Sequence, residues 1–136
     1  MKKSKVIILG QEYDVIDEAS NSEYGKLQDL DGYASFTTKK IVVAEFIPEM
    51  GTDEDISYTR NHVMRHEVIH AFLCESGMRQ WAEDEQLVDW MAAQFPKIQK
   101  VFQKLHCKNL NDAEGICKGE GVDSVAEEKD ESWKEL

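Results

Sequence analysis

Residues 66–70 read His-Glu-Val-Ile-His, two histidines four apart with a carboxylate directly after the first. On a helix, residues four apart differ by about 40° in rotation and stand one turn above each other. His66 and His70 would then project their imidazoles in one direction, the bite of a single Zn²⁺. Glu67 is turned by about 100° from His66, near such an ion without pointing straight at it, where a base for an activated water must sit. A catalytic zinc usually keeps three protein side chains and leaves a fourth position for water, so one more ligand is required.

Fifteen residues after His70, Glu85 and Asp89 are again four apart, in the stretch Glu-Asp-Glu-Gln-Leu-Val-Asp-Trp. If the two segments are helices packed antiparallel, the start of the second lies beside the end of the first. Glu85 then reaches the ion, and Asp89 accepts a hydrogen bond from the outer nitrogen of a ligating histidine, which fixes its tautomer. Glu83 and Asp84 compete for the third ligand position but lack a carboxylate four residues on in the right phase. His62 and Tyr58, preceding the motif, are candidates to line a cleft and donate to an oxyanion; an exposed histidine and a surface or core-edge tyrosine are the plainer readings. Cys74 reads as a small core residue.

The positioning elements are legible around these residues. Pro48 and Gly51 mark an acidic, turn-rich connection ending in candidate N-caps Asp55, Ser57 and Thr59, and Gly77 suits the left-handed residue that stops a helix. Val63, Ile69, Phe72 and Leu73 fall at mixed spacings, as in a helix buried on more than one side. A second helix is predicted from about Asp84 to His106 by the stripe Leu87, Met91, Phe95, Ile98, Phe102 and Leu105, read as core, with a kink or break near Gln94 and Phe95 caused by Pro96.

Upstream, Lys5–Gly10 and Glu12–Glu18 read as a hairpin about a glycine-containing link. Tyr33–Phe36 and Ile41–Phe46 form two strands or one bent one, and a strand such as Ile41–Phe46 could hold an extended substrate if it is an edge. The fold class expected is α+β: a three- or four-stranded antiparallel or mixed sheet packed on two main helices, the first carrying the histidine motif. Residues 1–118 form one domain in this reading. Residues 119–136, with seven acids against two lysines, read as an acidic, flexible tail.

The pattern His-Glu-x-x-His followed by Glu-x-x-x-Asp resembles the gluzincin arrangement of zinc metallopeptidases. The strand-rich lead and Glu-Gln-Leu-Val-Asp-Trp-Met-Ala-Ala-Gln-Phe after the motif resemble most the small bacterial and phage ImmA/IrrE-type peptidases. Over residues 30–100 the resemblance implies a zincin-like domain with His66, His70 and Glu85 as zinc ligands and Glu67 as general base. Val88-Asp89 and Met91-Ala92 stand where that family carries Ala-Asn and Phe-Ala pairs. The activity implied is hydrolysis of peptide bonds in a protein partner; a catalytically silent zinc-binding interaction module of phage or mobile-element origin is the alternative.

Composition narrows the partners. Net charge is −11, from 27 acids against 16 bases, which argues against a nucleic-acid partner bound through phosphate neutralisation. The only apolar run near the start, Val6–Leu9, falls well short of a signal core, and no run approaches a membrane span, so a cytoplasmic protein is expected. The three cysteines, Cys74, Cys107 and Cys117, match no metal-knuckle spacing and read as free thiols.

Overall fold

The computed structural model describes residues 1–107; the acid-rich end and Cys117 lie outside the described residues. β1 (Lys2–Ile8) and β2 (Gln11–Ala19) form an antiparallel hairpin. Its two-residue loop is Leu9-Gly10, both at positive φ (47° and 82°), the backbone of a type I′ turn that matches the twist of the flanking strands. A 3₁₀ turn at Gly25–Gln28 leads to β3 (Gly32–Ser35) and β4 (Lys40–Ala44). The sheet order is β1-β2-β4-β3, with β2 and β4 parallel and the other two pairs antiparallel. The α+β class and the four-stranded mixed sheet are as the sequence predicts.

One strand assignment changes. Residues 41–46 are the candidate edge in the sequence, yet β4 lies between β2 and β3, and the edges are β1 and β3. The burial explains the placement: Ile41, Val42 and Val43 are all 0% exposed, an apolar run that only an interior strand covered on both faces can use. Val15 and Ile41 pack with Ile8, Tyr13 and Ala71 on the face toward the first helix, while Ile16 and Val42 pack with Ala19 and Leu27 on the other. β2 carries an irregularity between Ile16 and Ala19, where Glu18 adopts φ 54°.

The helix α1 (Ile56–Glu75) begins where predicted: the Asp55 carboxylate accepts from the Tyr58 N–H at 3.1 Å. It ends in a Schellman motif about Gly77 (φ 76°), with Met78 N–H donating to Leu73 O at 2.9 Å and Gly77 N–H to Cys74 O at 3.1 Å. One side of α1 meets the sheet through Ala71, Met64 and Val68; another meets α3 (Glu85–Lys104) through Ile69, which packs on Val88 and Ala92. At its last turn the buried Tyr13 hydroxyl donates to Glu75 at 2.7 Å and Lys39 pairs with the same carboxylate, tying helix to sheet. A single helical turn, α2 (Arg79–Ala82), stands between α1 and α3.

Two expectations for α3 are corrected. The residues it buries are Val88 and Ala92, while Phe95, Phe102 and Leu105 of the predicted stripe are exposed. Val88 and Ala92 are the positions of α3 that face Ile69 of α1, with Leu73 and Met91 packed against the same cluster, so the buried face is set by where α1 lies and not by the largest apolar side chains. The helix also runs without a break through Pro96. Proline has no N–H to give the Ala92 carbonyl, and the Arg65 guanidinium fills that gap, Nε donating to Ala92 O at 2.9 Å. α3 closes at a left-handed His106 (φ 55°) with Cys107 N–H donating to Phe102 O at 2.9 Å. No helix among the described residues is long and apolar enough to cross a membrane.

Candidate metal centre

The unit Met1–Val101 holds a cleft of about 660 Å³ between the β3 edge and α1, with the start of α3 closing one end. Helical spacing brings His66 and His70 to one side of α1, and the antiparallel return of α3 brings Glu85 over them. His66 Nε2 and His70 Nε2 are 3.0 Å apart; the Glu85 oxygens lie 2.9 Å from the first and 3.2 Å from the second. Two nitrogens bound at ~2.05 Å by a tetrahedral ion would be about 3.3 Å apart, so the pair needs to open by only a few tenths of an ångström to hold one.

The tautomers agree with this use. His70 Nδ1 is 2.7 Å from Ala82 O and donates to it, which leaves the Nε2 lone pair facing His66 and Glu85. The 3.0 Å between the two Nε2 atoms is a distance that one shared proton or, after slight opening, one cation would bridge. His66, His70 and Glu85 thus form a group able to bind a metal ion, as do His62, His66 and Asp89. Asp89 Oδ1 lies 2.7 Å from His62 Nε2 and 3.5 Å from His66 Nδ1. The hydrogen bond from His62 is the first reason that the Asp89 carboxyl sits below its ordinary range.

Glu67 is 7% exposed at the floor of the cleft. Burial first, and then the negative charge of Glu85, push its carboxyl up to about 7, while a backbone hydrogen bond from Ala34 on β3 pulls in the opposite direction. β3 comes this close because Gly32 has no side chain: a Cβ there would stand 2.9 Å from Val63 Cγ1, 3.0 Å from Val42 O and 3.2 Å from Glu67 Cγ.

Of the other sequence candidates, His62 lines the cleft and Tyr58 does not; Tyr58 sits 65% exposed on the first turn of α1. Cys74 lines the cleft, half-buried, and burial raises its thiol. Asp84 is turned to a local task, accepting from the Leu87 N–H at 3.0 Å at the start of α3, and Glu83 pairs with Arg79 at 3.7 Å. Sequence reasoning missed Gly32, Ala34 and Ala82. Gly32, immediately before a β-type run, was the available signal of close backbone approach; Ala34 and Ala82 act through backbone atoms and leave none. No protein-family model, curated protein or solved structure matches the chain.

Proposed function

We propose that the chain is an intracellular zinc metallopeptidase of the small gluzincin-like kind, resembling the ImmA/IrrE-type peptidases, that hydrolyses an extended segment of a protein partner. The observation that carries this reading is the placement of a buried carboxyl, Glu67, in the same cleft as a two-histidine, one-glutamate set. A site that only stabilises a fold has no use for a base and usually closes its fourth position with Cys or His. Zinc held by His66, His70 and Glu85 supplies Lewis acidity toward a water and a substrate carbonyl.

The chain's own residues do the rest. Glu67, buried beside the two histidines, would take a proton from the water and return it to the leaving amine. The close approach of β3 at Gly32 packs against the Glu67 side chain and keeps it beneath the cleft. The β3 edge offers backbone donors and acceptors to an extended peptide, which gives affinity without demanding a particular sequence.

The test is Glu67→Gln, which keeps size and shape but removes the proton acceptor. Purified wild type should cleave members of a quenched-fluorescent peptide library, and Glu67→Gln should keep its zinc, lose cleavage and retain bound substrate. Equal cleavage by the two proteins would refute the peptidase reading. Zinc in both with cleavage by neither leaves the non-catalytic zinc module as the better reading.

A further inference from the structure

Two groups in the cleft are able to hold a cation, and they share His66. The protons on the imidazoles decide between them. A ligating histidine gives one nitrogen to the metal and keeps its proton on the other, which needs an acceptor. His70 has Ala82 O at 2.7 Å for that purpose, and His66 has Asp89 Oδ1 at 3.5 Å. His62 has none: its Nδ1 is buried without a hydrogen-bond partner among the described residues. Ligation through His62 Nε2 would bury an unsatisfied N–H there, whereas the opposite tautomer spends its proton on Asp89 at 2.7 Å and leaves Nδ1 bare.

We infer that His62 is a positioning residue of the metal centre and not one of its ligands: its Nε2–H orients the Asp89 carboxylate, through which it holds His66. This rests on the reading of His66, His70 and Glu85 as the metal set. Asp89 is a 61%-exposed side chain near the start of α3, free to change rotamer unless something grips it. His62 provides the shorter of its two contacts, and the longer one, to His66 Nδ1, depends on the orientation that the shorter one sets. The earlier candidacy of His62 as an oxyanion donor gives way to this role, since its Nε2–H is committed to Asp89 at 2.7 Å and its Nδ1 is buried.

The experiment uses the full chain and reads metal, not hydrolysis. Zn²⁺ affinity is measured by chelator competition, and Co²⁺ is substituted as a spectroscopic probe of ligand geometry, for wild type, His62→Ala, His62→Gln, Asp89→Asn and His62→Ala/Asp89→Asn. His62→Ala should lower zinc affinity about 10-fold at unchanged stoichiometry and shift the cobalt absorption. His62→Gln, whose amide N–H reaches the same carboxylate, should recover most of both. The double variant should be no weaker than Asp89→Asn alone, because His62 acts only through Asp89. Wild-type affinity in His62→Ala, additive losses in the double variant, or a second zinc equivalent that His62→Ala removes would each overturn the inference while leaving the metal set standing. A wild-type chain that takes up no metal overturns the metal set and this inference with it.

Discussion

Gly32→Ala is a one-methyl change whose consequences follow from three distances. The added Cβ would stand 2.9 Å from Val63 Cγ1, 3.0 Å from Val42 O and 3.2 Å from Glu67 Cγ. Val42 O belongs to the backbone of the interior strand β4, which cannot yield, so β3 has to move outward by a few tenths of an ångström. Overpacking of this kind costs roughly 1–3 kcal/mol. At about 4–8 °C per kcal/mol for a domain of this size, the melting temperature should fall by roughly 5–20 °C. The movement carries Ala34 N–H away from Glu67 and pushes on the Glu67 side chain directly. Since a 1 Å misplacement can cost about 100-fold in rate, a shift of tenths of an ångström should cost on the order of 10-fold in peptide cleavage. His66, His70 and Glu85 are not touched, so zinc content should stay the same. The assays are differential scanning fluorimetry, metal analysis and cleavage of the peptide library used for Glu67→Gln. A variant that melts within about 2 °C of wild type and cleaves equally well would show that β3 is not pinned against Glu67 as described.

In the metal-stripped protein, stability should fall as pH rises from about 4.5 to above 7, the span between the ordinary and the raised value for Glu67. The folded state holds that proton and the unfolded state does not, so the contribution is complete at the acid end and is lost on passing the folded pKa, by up to on the order of 3 kcal/mol. Urea midpoints at roughly pH 5 and pH 8 should therefore differ less in Glu67→Gln than in wild type, and an equal pH dependence would count against the buried carboxyl. Arg65→Met should destabilise by about 1–3 kcal/mol by orphaning Ala92 O, and by clearly less in a Pro96→Ala background, where the new N–H bonds that carbonyl; additive effects in this double-mutant cycle would refute the pairing. Arg60→Ala should lower stability by about 3–5 kcal/mol in urea titrations, because it leaves the 8%-exposed Asp17 carboxylate without the partner that holds it charged; a loss under about 0.5 kcal/mol would mean that water replaces the pair.

What the sequence disclosed and what it withheld divide along physical lines. Asp55, Gly77 and the spacings of His66, His70, Glu85 and Asp89 act through helix geometry, which is local and periodic, so they could be read directly. The sheet edge could not, because an apolar run such as Ile41–Val43 does not say which neighbours will cover it. The stripe on α3 misled for a related reason: periodicity names an apolar face, but Val88 and Ala92 are buried because Ile69 of α1 lies against them, a property of the partner as much as of α3. Pro96 predicted a break that Arg65, thirty-one residues earlier and on another helix, prevents. The Ala82 carbonyl that holds His70 and the Ala34 N–H beneath Glu67 are backbone groups that any residue would carry.

The central claim is that His66, His70 and Glu85 hold one metal ion. Elemental analysis of the full chain, purified without added metal and then equilibrated with Zn²⁺ and desalted, tests it most directly, with His70→Ala and Glu85→Gln measured alongside. About one zinc per chain is expected in wild type, with little or none in His70→Ala and weakened retention in Glu85→Gln, whose neutral amide oxygen is a poorer ligand than a carboxylate. Zinc absent from wild type, or present in full in His70→Ala, would contradict the account.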